Sequence, residues 1–315
     1  MTLKGIDFIL YTKQDDVVLR THRLFFSFTE DIMKKILCAL TLVAALFSVT
    51  GCSKKVEKGE FTVQKGKLLI GMEIGYPPFE YYAEDGKTPA GFDVDLGKAL
   101  AEKLGLEAEF VDTAWDGILG GLDTNRFDVI MSAMTITDER KENYNFSVPY
   151  VANGQSIVVK KGSGIKVNSL SDLNGMSVGY QAETTSDFFM ERKAKELNFE
   201  FKPGEYDKVL NAFDDLKYGR LDAVAADYLV SVSYLSKEDT PYECAWLGEA
   251  DDFMGVCVSK ENTVLLDKVN RALAEILADG TYAEISIKNF GGDLSNTVPA
   301  IVLPEAEETP AEAAE

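Results

Sequence analysis

Residues 91–105 read GFDVDLGKALAEKLG. Apolar side chains at Phe92, Leu96, Leu100 and Leu104 share one face of a helix, and Gly105 stands where a C′ glycine would end it. Upstream, KLLIGME (67–73) is an apolar run of strand length, and AEFVD (108–112) is a second one downstream. WDGILGGLDTN (115–125) then reads as a short helix and FDVIMSA (127–133) as a third strand. Strand, helix, strand, helix, strand is the order of a parallel α/β sheet.

The alternation pauses at QSIVVKKGSGIKV (155–167) and restarts. MSVGY (176–180) is a strand, TSDFFMERKAKEL (185–197) a helix, NFEFK (198–202) a strand, DKVLNAFDDLKYG (207–219) a helix and LDAVAAD (221–227) a strand. DDFMGVCVSK (251–260) adds a strand, and 262–290 reads as two closing helices. Two such units predict two lobes with a cleft between them, where ligands collect at the carboxyl ends of strands.

Before the first unit, Met33-Lys34-Lys35 and the apolar run 36–49 form an export signal too short to span a bilayer comfortably. It ends in VTGC (49–52), which resembles a bacterial lipobox cut before Cys52, whose thiol would then be lipidated. The expected division is an upstream extension over 1–32, with Met33 the initiator, a signal over 33–51 and a tether over 52–66. Lobe 1 then takes 67–158 and 254–290, lobe 2 takes 159–253, and an acidic disordered tail takes 291–315.

Composition excludes several classes of function. A net charge of −20 would repel a phosphate backbone, so no nucleic-acid partner is expected. The single histidine, His22, lies upstream of the signal, so the exported body has neither Ser-His-Asp or Cys-His machinery nor the usual zinc ligand sets. No catalytic residue, metal or cofactor is expected. Once Cys38 leaves with the signal and Cys52 is lipidated, Cys244 and Cys257 remain, as one disulfide or as two thiols.

Candidate site residues fall where strands end: Glu73 and Tyr76, Trp115, then Ser132, Thr135 and Arg140, then the segment around Gln181, Thr184 and Thr185, then Asp227. Each has a structural alternative. Tyr76 and Trp115 could be core aromatics, while Asp227 and either threonine could cap helices. In SAMTITDERKENYNFSVPY (132–150), Thr137 suits an N-cap and Asp138 and Glu139 suit a first turn, but Arg140 opposes the helix dipole. It either pairs with a neighbouring carboxylate or serves an anion.

The stretches YPPFEY (76–81), GFDVDLGKALAEKLG, WDGILGGL, FDVIMSAMTITDERKENYNFSVPY (127–150), LDAVAAD and ADGTYAEI (278–285) occur in an order and spacing that resemble one family. It is that of the extracytoplasmic substrate-binding proteins of polar amino-acid ABC transporters. The resemblance covers about Lys67 to Phe290 and implies a two-lobed type II periplasmic-binding-protein fold. It implies that Arg140 clamps the ligand's α-carboxylate, helped by the backbone and hydroxyls around Ser132, Ala133 and Thr135. Asp227 would hold the α-ammonium from the other lobe, and Gln181 to Thr185 would offer amides to the carboxylate. Tyr76 and Trp115 would sandwich the side chain, with Glu73 near its far end.

Glu183 stands where many relatives have a glycine-threonine loop, facing either the cleft or solvent. An acidic box with aromatic walls suits a basic amino acid (arginine, lysine, histidine or ornithine). Glutamine or cystine is the alternative, and an enzyme resembling cyclohexadienyl dehydratases is another on the same fold. The implied partners are a free amino acid, a permease and its ATPase on separate chains, and the membrane through the lipid anchor. The protein is expected to be an extracytoplasmic monomer.

Overall fold

The computed structural model describes residues 59–299. The expected extension and signal, Cys52, and the chain beyond Pro299 lie outside the described residues.

The first lobe begins with β1 (Lys67–Met72), a short hairpin of β2 (Tyr81–Tyr82) and β3 (Pro89–Ala90), and helix α1 (Phe92–Lys103). Then come β4 (Glu107–Asp112), α2 (Ile118–Asp123), β5 (Val129–Ile130), α3 (Asp138–Asn143), β6 (Tyr144–Phe146) and β7 (Val151–Asn153). Helix α1 forms as its pattern predicts. Gly91 enters it at φ 124, where a Cβ would collide with the Phe79 carbonyl, and Gly105 leaves it at φ 69. Phe92, Val94, Leu96 and Leu100 are buried on its inner face, and Asp93 is buried among them.

The second lobe holds β8 (Gln155–Lys160), β9 (Ser177–Gln181), α4 (Thr185–Leu197), β10 (Lys202–Tyr206), α5 (Val209–Lys217), β11 (Ala223–Asp227), α6 (Tyr228–Leu235) and β12 (Tyr242–Leu247). The chain returns through β13 (Asp252–Met254) and β14 (Cys257–Ser259), then closes the first lobe with α7 (Thr263–Ala278) and α8 (Thr281–Phe290) against α1.

The sheets run in the orders β4-β1-β5-β14-β6 and β10-β9-β11-β8-β12. Both are mixed rather than parallel. β1 is parallel to β4 and β5, but β14 is antiparallel to β5 and β6. β11 is parallel to β9 but antiparallel to β8, which also pairs antiparallel with β12. The reason is the crossover between lobes, because strands that leave one lobe and return to it meet its sheet from opposite directions.

That crossover also moves the lobe boundaries. β7 and β13 pair antiparallel as a two-stranded ribbon, Asn153 opposite Asp252, and all of β8 belongs to the second sheet. The expected boundary at 158/159 therefore falls inside β8, and the crossing lies at 151–154 and again before Met254.

Two terminal expectations also change. The segment before Lys67 is already docked, since Val63 N donates to Asp128, Thr62 is buried and Asn262 Nδ2 donates to Phe61 O at 3.0 Å. Residues 291–299 pack as well. Ser286 Oγ donates to Gly292 O (2.7 Å) and accepts from Leu294 N (3.0 Å), while Thr297 Oγ1 accepts from Ala152 N on β7 (3.4 Å). Cys244 on β12 and Cys257 on β14 lie in different sheets and are both free thiols.

Candidate functional site

Loops at the carboxyl ends of β1, β5, β9 and β11 meet between the lobes. The lobes are closed on one another: Tyr76 Oη donates to Asp227 Oδ2 (2.7 Å), Gln181 Nε2 to Glu73 Oε2 (2.6 Å), and Trp115 Nε1 to the Glu183 carbonyl (3.1 Å). A small cavity remains between them. Glu73, Tyr76, Trp115, Ser132, Ala133, Thr135, Arg140, Gln181, Thr184, Thr185 and Asp227 all line it, and so does Glu80, which the sequence reading missed.

Arg140 lines it from the first lobe. Thr137 caps α3 by accepting from Arg140 N (3.1 Å), and the guanidinium turns away from the helix to donate from Nη1 to Thr135 O (2.9 Å). Its Cζ lies 5.4 Å from the Trp115 ring centroid, so one face of Trp115 is already taken by a cation. The alternative of a neighbouring ion pair fails. Asp138 pairs with Lys141 (2.6 Å), and among the described residues no carboxylate lies within 4.0 Å of Arg140. Burial lowers its pKa, and the acids that oppose the fall, Asp227 and Glu139 among them, act on it without ion-pair contact.

Ser132, Ala133 and Thr135, the helpers that the resemblance implied, line the same cavity as Arg140. Ala133, at φ 47, donates its amide to Asp93 Oδ2 (2.7 Å), and Ser132 Oγ accepts from Glu73 N (2.9 Å) and donates to Glu80 Oε1 (2.8 Å). Both are committed to the first lobe's own carboxyls. The Thr135 hydroxyl, 3.4 Å from that of Thr185, faces the first turn of α4, whose amides have no intrahelical acceptor.

From the second lobe, Asp227 lines the same cavity and is 3% exposed. It precedes α6 but its side chain caps nothing, so the capping alternative fails. Its carboxylate accepts from Tyr76 Oη, from Asn153 Nδ2 (2.8 Å) and from Gln155 Nε2 (2.9 Å). Burial nevertheless pushes its pKa up to about 6, with those donors opposing the rise. Thr184 likewise occupies an N-cap position without capping, and its hydroxyl donates to Gln181 O (2.7 Å).

Further acids lie in or behind the wall of the cavity. Glu73 is held by Gln181 and has the Lys208 ammonium nearby, itself donating to Ile74 O (3.2 Å); burial still raises its pKa. Glu80 and Asp93 are both fully buried, each with one unpaired oxygen. Periodicity marks neither, because a carboxyl in GFDVD or FEY reads as a surface residue until packing is known. Asn153 and Gln155 were missed for a similar reason, lying on strands of the crossover. Glu183 resolves to the solvent reading: its side chain is exposed and its backbone, at φ 59, carries the bond to Trp115. Among the described residues, no group of His, Cys, Asp or Glu is arranged to hold a metal ion, and no helix is long and apolar enough to cross a membrane.

Comparison with known proteins agrees with this architecture. The model of the bacterial extracellular solute-binding proteins, family 3, matches residues 68–292. The L-cystine-binding protein TcyJ of Escherichia coli K12 is 36% identical over 82% of this chain and 96% of its own. The arginine-binding protein ArtP of Bacillus subtilis is 33% identical over 83% of this chain and 100% of its own. A solved ancestral arginine-binding protein with arginine bound superimposes with a TM-score of 0.68 at 40% identity, covering 72% of this chain and 99% of that one. The chain therefore belongs to the family 3 extracellular solute-binding proteins, two-lobed type II periplasmic binding proteins of amino-acid ABC transport.

Proposed function

We propose that this protein captures a basic amino acid outside the cytoplasm and delivers it to an ABC importer. The observation that carries the reading is Arg140, a desolvated guanidinium with no carboxylate within ion-pair distance among the described residues, which shares one cavity with the buried Asp227 of the other lobe. A zwitterion satisfies both: its carboxylate takes the planar fork of Arg140 and its ammonium takes Asp227. Thr135 and the first turn of α4 supply further donors to the carboxylate, and Tyr76 and Trp115 flank the side chain. Ser132 and Ala133 act indirectly, by fixing Glu80, Glu73 and Asp93.

A basic side chain is favoured by what remains. Glu73, Glu80 and Gln181 line the same cavity, and the unpaired atoms Glu80 Oε2 and Gln181 Oε1 are both oxygens. A guanidinium or ammonium supplies donors and charge to such a wall, whereas a neutral side chain leaves the acids unbalanced. Cystine is the second reading, favoured by the 36% identity to a cystine-binding relative. The Arg140/Asp227 pair suits holding a zwitterion rather than transforming one.

Cys52 serves as the lipid anchor in this reading, the protein acts as a monomer, and the permease and ATPase are separate chains. Calorimetry on protein stripped of co-purified ligand, titrated with the twenty amino acids, ornithine and cystine, tests it. Arginine, lysine or ornithine should bind with micromolar or tighter affinity, about −8 kcal/mol or better. Tight binding of glutamine or cystine with no response to arginine or lysine would overturn the basic-ligand assignment.

A further inference from the structure

Among the described residues, three carboxyls line the cavity (Glu73, Glu80 and Asp227) against one cation, Arg140. If a zwitterion occupies Arg140 and Asp227, as proposed above, Glu73 and Glu80 are left. They are not equivalent. Glu73 accepts a 2.6 Å bond from Gln181 and has Lys208 beside it. Glu80 is fully buried, takes one bond from the Ser132 hydroxyl, and keeps Oε2 unpaired.

Behind Glu80 lies Asp93 on α1, also fully buried, with Oδ2 accepting from Ala133 N and Tyr150 Oη (3.0 Å) and Oδ1 unpaired. The titratable groups acting on this pair are Glu73 beyond the end of β1, Tyr76 on Glu80's own loop, Tyr150 before β7 and Tyr282 on α8. None is a cation. The surrounding wall is aromatic, with Phe79 and Phe92 stacked edge to face at 6.1 Å. Burial, and the repulsion of Glu80 by Asp93, oppose ionising both carboxyls at once.

We infer that Glu80, backed by Asp93, is the specificity residue that reads the cationic end of the ligand, and that the pair surrenders its proton to solvent when that cation arrives but keeps it when a neutral side chain binds. The ligand's positive charge takes the proton's place, so charge is conserved within the cavity. Burial pushes both carboxyls up, Asp93 to about 7, and repulsion from Asp93 adds to the rise of Glu80, which places the exchange near neutral pH. Asp227 is distinct, because it meets the ammonium common to every amino acid and so does not discriminate among them.

The test is calorimetry of arginine binding at about pH 7 in buffers of differing ionisation heat, which counts protons released, on the wild type and on Glu80→Gln. The wild type should release up to about one more proton per arginine than the variant, and the variant should bind arginine about tenfold or more weakly. Unchanged arginine affinity in Glu80→Gln, or no proton released by the wild type, would overturn the inference while leaving the amino-acid-binding reading standing. A wild type that fails to bind arginine at all would overturn both, and is recognised before any variant is made. Should the variant not fold, a wild-type series from about pH 6.5 to 8 decides: arginine affinity must rise with pH, and a flat profile overturns the proposal.

Discussion

Asp227 and Asp93 show what the site demands of single residues. Each is a carboxyl whose pKa burial raises from 3.8, to about 6 for Asp227 and to about 7 for Asp93. A group raised in this way takes up a proton on folding. Its contribution to stability is complete below the unfolded value of 3.8 and is lost as pH rises through the folded value. The ligand-free protein should therefore melt several degrees higher at about pH 5 than at about pH 8. A melting temperature that rises between those two values would contradict the burial of these two acids. At this scale the sequence was most informative where chemistry was out of place. Arg140 stood out against the helix dipole, whereas Glu80 and Asp93 looked ordinary because nothing in FEY or GFDVD announces a buried charge.

At the level of elements, local rules were legible and partners were not. The apolar spacing of α1 and its terminal Gly105 were sufficient, because a helix satisfies its own backbone. β10 was expected over 198–202 and forms at Lys202–Tyr206 instead, in a stretch that contains Pro203. It lies at the edge of its sheet, where a missing donor is tolerated, so composition argued against a strand that topology permits. DDFMGVCVSK, expected as one strand, divides into β13 in the crossover ribbon and β14 in the first sheet. The loop between β9 and α4 carries a testable strain. Glu183 holds φ 59, a conformation that glycine adopts freely, and its side chain is exposed. Glu183→Gly should leave ligand affinity nearly unchanged and stabilise the protein by up to about 1 kcal/mol, seen as a small rise in melting temperature. A clear loss of stability would mean that the carboxylate has a role beyond its backbone.

For the molecule as a whole, the proposed function rests on opposite charges carried by opposite lobes. Arg140 belongs to the first lobe and Asp227 to the second, and the ribbon of β7 and β13 joins them. Asn153 on β7 bonds Asp227 directly, and Gln155 at the start of β8 touches both Asp227 and Asp252, at 2.9 and 3.3 Å. The two-lobed plan was readable from the repeated strand–helix order, but the mixed sheets and the position of the crossover were not. Pairing direction depends on where the chain returns, which no local pattern encodes. The central claim, that Arg140 receives the ligand's carboxylate, is tested most directly by titrating arginine into Arg140→Ala. Because Arg140 has no ion pair to lose among the described residues, the variant should fold with an unchanged far-ultraviolet spectrum and bind at least about a hundredfold more weakly. A folded Arg140→Ala protein that binds arginine with wild-type affinity would contradict the account.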